Sequence, residues 1–109
     1  MTIDSDQGVG AVRELLATAE GLRVQLVTIA AEQRIPWHRH TSVSDTIIAV
    51  AGVVDVDVEG EGHHLLRGGE HWTIPAGAAH TVSGEAAGPC RFVNLHAGDA
   101  YDFEPVFTP

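Results

Sequence analysis

Short runs of alternating apolar and polar residues, cut apart by glycine and proline, set the rhythm of this chain. Leu22-Arg23-Val24-Gln25-Leu26-Val27-Thr28-Ile29 alternates until its final apolar cluster. A period of two predicts a half-buried β-strand. Residues 46–51 are β-branched and nearly all apolar, which predicts a strand buried on both faces, ended by Gly52. Val54, Val56 and Val58 alternate with Asp55, Asp57 and Glu59, placing valines inward and carboxylates in solvent before Gly60-Glu61-Gly62 turns the chain. Residues 64–66, 71–74 and 91–96 predict further strands, bounded by Gly68-Gly69, Pro75-Ala76-Gly77 and Gly98. Segment 9–19 breaks the rhythm. Val12, Leu15, Leu16 and Ala19 recur at helical spacing and predict a short helix there, against the alternative of an opening strand. Many short strands with regular turns predict an all-β, antiparallel sandwich or barrel.

A chain of 109 residues fits one domain with a modest core, spanning 1–109. With 15 acidic residues against 6 basic ones, the net charge of −9 repels phosphate backbones, and Arg13, Arg23, Arg34, Arg39, Arg67 and Arg91 form no run. No nucleic-acid partner is expected. The longest apolar stretch, 46–54, is far short of the roughly 20 residues a membrane span needs, so no membrane partner is expected. The single Cys90 excludes an internal disulfide and no charged-then-apolar leader is visible, so the expected location is cytoplasmic. The tail, 99–109, holds three of the six aromatic residues but is too short for its own core; it is expected to dock on the barrel or on a neighbour.

The chemistry concentrates in residues 36–52, where His38 and His40 stand two apart, Asp45 follows after four residues, and Gly52 after six more. On a strand, residues two apart share a face with Cα atoms roughly 6.8 Å apart. Two imidazoles so placed can converge on one ion. In residues 69–84, Gly69 is followed after five residues by Pro75-Ala76-Gly77, then after two by His80, with Gly84 four positions on.

These two groups resemble the paired motifs of the cupin superfamily, in the form of a small single-domain monocupin. The family's first motif is H-x-H, three or four residues, usually Glu, six residues, Gly; its second is Gly, five residues, P-x-G, two residues, His, three residues, often Asn. Asp45 stands at the Glu position and Gly84 at the Asn position. The resemblance implies an antiparallel β-barrel or jelly roll and one divalent transition metal held by His38, His40, Asp45 and His80. It also implies a homodimer, which would cover an exposed sheet edge.

Three imidazoles and a carboxylate suit Fe, Mn, Ni, Zn, Co or Cu, with open positions for substrate or dioxygen. Asp45 is one methylene shorter than Glu, so it is either a ligand or, unligated, a catalytic general base. Val43, Ile47, Ala49, Trp72 and Phe92 are candidate walls of a substrate pocket. Asn94 and His96 share one face of the last strand and join that pocket if the face is interior; otherwise they form an outer polar face opposite buried Val93 and Leu95. His63, His64 and His71 are read as solvated, and Trp37 and Trp72 also suit core or interface packing. The leading expectation is a metal-dependent dioxygenase-type oxidoreductase acting on a small organic substrate. The alternatives are a metal-dependent isomerase, lyase or cyclase on a sugar or polyketide-like compound, and a non-catalytic module that binds a small ligand.

Overall fold

Alternation along the strands sends every second side chain into a shared interior, and two antiparallel sheets close around it. The computed structural model describes residues 2–4 and 11–107. Its strands are β1 (Thr2–Asp4), β2 (Ala11–Ala19), β3 (Leu22–Ile29), β4 (Arg34–Arg39), β5 (Val43–Ala51), β6 (Val54–Val58), β7 (Gly62–Leu66), β8 (His71–Ile74), β9 (His80–Gly84), β10 (Cys90–Gly98) and β11 (Glu104–Pro105). One sheet runs β1-β2-β3-β10-β5-β8, the other β11-β4-β9-β6-β7. Among the described residues the only helical piece is the 3₁₀ turn Glu85–Ala87.

The interior has an apolar end and a polar end, divided within single strands. On β10, Phe92 precedes Asn94 and His96; on β5, Asp45 precedes Ile47 and Ala49; on β4, Ile35 precedes His38; on β9, His80 precedes Val82. Val27, Ile29, Ile47, Val54, Val56, Ile74, Val82 and Phe92, each at most 2% exposed, fill the apolar end. Each such side chain contributes about 2 kcal/mol by removal from water. The polar end is where the two sheets present histidines and a carboxylate to one another.

Two sequence expectations are corrected. Segment 9–19 is not a helix: its described part, 11–19, is β2, paired with β3 along its length, while residues 9 and 10 lie outside the described residues. The pairing register shifts between Leu15 and Ala17, and that irregularity breaks the inside-outside alternation. Residues 46–51 are buried on one face only. Ile47 and Ala49 are inside, whereas Ile48 is half-buried and Val50 is 48% exposed on the outer face of the larger sheet.

Gly52 turns the chain with φ +69°, and a Cβ there would lie 2.4 Å from the Pro89 carbonyl oxygen. Both effects oppose any side chain. Gly52→Ala is therefore expected to destabilise the fold by about 2 kcal/mol or more, read as a lowered midpoint in urea unfolding. Gly84, at the position where the motif often has Asn, is governed by space alone, since a Cβ would fall 1.8 Å from the Gly88 oxygen.

Candidate metal centre

The β4–β9 register sets His38 directly opposite His80, and His40 follows two residues later. On the facing sheet, the β5–β10 register sets Asp45 opposite His96. The motif-2 turn is tied to motif 1 by a hydrogen bond from the Gly77 N–H to the His40 carbonyl at 2.7 Å. His38, His40, Asp45 and His80 thus come together, all buried, with one ligand-capable atom of each lying within 4.8 Å of the others.

The backbone decides which ring nitrogens face inward. Each Nδ1 lies against a carbonyl oxygen, which can only accept: His38 on Pro36 at 2.9 Å, His80 on Ala78 at 2.9 Å, and His40 on Asp102 at 2.5 Å. All three Nδ1 atoms are therefore donors, and all three Nε2 atoms are left for the centre. Asp45 Oδ2 lies 3.1 Å from His80 Nε2, 3.3 Å from His40 Nε2 and 3.7 Å from His96 Nε2. With metal–ligand bonds near 2.1 Å, neighbouring ligand atoms of an ion stand about 3.0–3.4 Å apart. His40 Nε2, buried and without a hydrogen-bond partner, is the kind of atom an ion would satisfy. The donor set fits a divalent transition metal.

An amide relay orients the carboxylate. Gln25 Nε2 donates to Asn94 Oδ1 at 2.9 Å, and Asn94 Nδ2 donates to Asp45 Oδ1. The second oxygen, Oδ2, is thereby aimed at the imidazoles. Burial would raise the Asp45 carboxyl, but the imidazoles of His40, His80 and His96 gathered around it outweigh burial and hold the group well below the usual carboxylate range. Burial, with His80 alongside, pushes His38 down to about 3. His96 is also lowered, chiefly by burial. Burial pulls His40 down too, but the facing Asp45 carboxylate, 3.3 Å away, raises it above the ordinary imidazole value.

Of the expected pocket residues, Ile47, Phe92, Asn94 and His96 line the chamber around Asp45. Asn94 and His96 point inward, at 4% and 3% exposure. Ala49 is buried in the apolar core and is not part of this wall. Val43 lines a neighbouring cavity, and Trp72 stacks on His64 at 3.8 Å between the far edges of the two sheets, so neither borders the chamber. His63 is solvent-facing, as expected, and bonded to Asp55; His64 is instead half-buried against Trp72. Sequence reading missed Arg13, Gln25, Tyr101 and Phe103, which also line the chamber. The tail lies across its mouth: Phe103 stacks on His38 at 4.3 Å, and Glu104–Pro105 pairs with β4. So closed, the chamber leaves room for about one water molecule, near 10 Å³. Residues 108–109 of the tail lie outside the described residues.

The family model for the Cupin domain matches residues 25–96, a stretch that holds every member of this cluster. The chain belongs to the cupin family. Solved cupin-fold structures agree. The protein TT1209 from Thermus thermophilus is 28% identical, with a TM-score of 0.74 over 83% of this chain and 85% of that one. KdgF from Halomonas sp. is 20% identical, with a TM-score of 0.77 over 92% and 90%. The oxalate decarboxylase of Lactobacillus farciminis is 16% identical, with a TM-score of 0.76 over 89% of this chain but 31% of that one. No curated protein matches the sequence.

This cupin's electrostatics give a pH signature for metal binding. An incoming cation must displace the proton that Asp45 favours on His40, so affinity falls as pH drops below the raised His40 value. His38, neutral down to about pH 3, adds nothing to that competition near neutrality. The expected result is a loss of about tenfold in affinity per pH unit on the acid side of the His40 titration, measured with a competing chelator.

Proposed function

We propose that this cupin is a metal-dependent enzyme acting on a small organic substrate, and that His38, His40, His80 and Asp45 hold one divalent transition metal: iron, manganese, nickel, zinc, cobalt or copper. The observation that carries the reading is the convergence of three Nε2 atoms and one carboxylate oxygen in a buried chamber. When bound, such an ion supplies Lewis acidity and a template for substrate oxygens. The chain's residues do the rest. The amide relay holds Asp45 in place, and its depressed pKa makes it a poor base and a good anionic ligand. Phe103 and Tyr101 border the chamber and limit its space to about one water molecule.

The first reading of the reaction is a dioxygenase-type oxidoreductase, because an ion held by three or four protein ligands would keep coordination positions open for substrate and dioxygen. Oxygen-electrode traces on protein loaded with Fe(II), Mn(II) or Ni(II), using enediols, β-diketones and flavonol-like chelators, test it. Uptake coupled to substrate loss supports it; turnover without uptake replaces it with the second reading, an isomerase, lyase or cyclase. His96 favours that second reading: it is a buried, lowered-pKa imidazole 3.7 Å from Asp45, outside the four-residue group and placed to move a proton.

We also place the protein in the cytoplasm and read it as a homodimer. No helix among the described residues is long and apolar enough to cross a membrane. The outer face of the larger sheet carries half-buried Val24, Leu26, Ile48, Val93 and Leu95, with more exposed Val12, Leu22 and Val50 around them. A chain of charge −9 meets its own copy most easily across a face with few carboxylates. Leu26 and Val93 are direct cross-strand partners on that face. Sedimentation is expected to give twice the 11.5 kDa chain mass for the parent and the single mass for the Leu26→Glu, Val93→Glu double variant.

A further inference from the structure

With space for about one water molecule, the closed chamber admits an organic ligand only if part of its wall moves. Gln25 on β3, Ile47 on β5, Val82 on β9, and Phe92 and Asn94 on β10 stand on strands hydrogen-bonded on both sides. Moving them would break a sheet. Tyr101 and Phe103 belong instead to the tail, whose strand pairing among the described residues is the two-residue β11, exposed and joined to β4 alone. The Thr41 N–H and hydroxyl donate to the two Asp102 carboxylate oxygens at 2.8 and 2.6 Å, and Arg39 Nε donates to Glu104 at 2.6 Å. All three bonds are solvent-exposed, where water competes for the same groups. The Val106 N–H donates to the Trp37 carbonyl at 3.0 Å. A segment tied by exposed hydrogen bonds and one ring stack lies at the low end of local stability. Where the tail leaves β10 the chain is pinned: the Gly98 N–H donates to the Gly21 carbonyl at 3.0 Å, and a Cβ on Gly98 would lie 2.1 Å from the Ser42 oxygen.

The tail also supports one imidazole of the centre. His38 and His80 rest their Nδ1 atoms on carbonyls two residues away, whereas His40 rests its own on Asp102, 62 positions along the chain. Tyr101 borders both the chamber and an outer cavity of about 180 Å³, so lifting the tail would join the two spaces. We propose that residues 100–106 form a strap that lifts from β4 to admit ligand, turning about the pinned Gly98–Asp99 step, and that its closing fixes His40 with Nε2 inward. The gate stands on the geometry of the tail, and only its coupling to an ion rests on the proposed function. By reciprocity, an ion that needs His40 Nε2 favours the closed strap.

Hydrogen exchange of the full-length, metal-free protein, resolved amide by amide by NMR, tests the gate. The Thr41 and Val106 N–H groups, whose acceptors lifting would remove, are expected to be at least about tenfold less protected than the amides of β10. Arg39→Cys with Glu104→Cys, direct cross-strand partners, gives a switchable control. Oxidised, its disulfide should raise protection at Thr41 and Val106 at least about tenfold; reduced, the variant should lose that gain. Phe103→Ala should lower protection at both amides and leave β10 unchanged. Parent protein in which Thr41 and Val106 are as protected as β10, or an oxidised variant that exchanges like the reduced one, overturns the proposal. Loading with Zn(II) tests the coupling and should raise protection at both amides at least about tenfold. Weak protection in a protein that binds no Zn(II) keeps the gate and rejects the centre; bound Zn(II) with unchanged protection keeps the centre and rejects the coupling.

Discussion

Alanine at His38, His40 and His80 together will leave a chain that retains less than about a tenth of an equivalent of metal, whereas the parent, purified without an affinity tag, holds close to one. The imidazoles occupy the polar end of the interior, away from the valine, isoleucine and phenylalanine core, so the sheets keep the packing that drives folding. What is lost is the set of three Nε2 atoms that the Pro36, Ala78 and Asp102 carbonyls aim inward. A ligand that binds only the folded form stabilises it by about 4 kcal/mol at a thousand times its dissociation constant. Chelator should therefore lower the melting temperature of the parent by several degrees and leave that of the variant unchanged. Elemental analysis and paired thermal melts check both parts; equal metal in parent and variant would end the case for the centre.

The metal-free protein is expected to lose about 3 kcal/mol of stability through His38 alone as pH falls from 6.5 to 4. Burial and the neighbouring His80 keep this imidazole neutral in the fold down to about pH 3, while the unfolded chain takes up its proton near 6.5. Between those values the unfolded state holds the extra proton, so each pH unit of acidification destabilises the fold by about 1.4 kcal/mol. The lowered pKa of His96 acts in the same direction. His40 acts oppositely: its raised value contributes stability that is fully present below its unfolded pKa and is lost as pH rises through its folded one. Asp45 adds a separate component, present above its unfolded value and lost as pH falls through its depressed folded value. Urea unfolding in excess chelator at several pH values measures the sum, and His38→Asn isolates its share. Identical pH slopes in parent and variant would show that His38 does not carry it.

Much of this architecture was legible because the signals were local. Alternation in 54–58 and the spacings His38, His40, Asp45 and Gly69, Pro75, Gly77, His80 follow from strand periodicity and turn geometry, and the barrel brings the histidines and Asp45 together. The misreadings share one cause. The larger sheet is apolar on its outer face as well, so the contrast that marks a strand fades in β2, and the register shift near Leu15 makes the remainder imitate a helix. The same outer face made 46–51 look doubly buried. For Asn94 and His96, alternation gave the shared face but not its direction, because the polar pair turns inward to meet Asp45 while Val93 and Leu95 turn out. Gln25 carried a readable hint, a polar residue in phase with Val27 and Ile29. Nothing local marks Phe103 as the ring that covers His38.

The chamber joins residues that are distant along the chain. Gln25 meets Asn94 across 69 positions, His80 meets Asp45 across 35, and Asp102 seals Thr41 across 61. Loops that long close slowly, and no fragment emerging early from the ribosome can present a complete ligand set. Metal capture during synthesis would thereby be disfavoured, and an ion held at the proposed centre would have to enter an already closed barrel, past Tyr101 and Phe103. The identity of any ion at the proposed centre would then be set by what the surrounding pool offers a finished molecule, not by what a growing chain happens to meet.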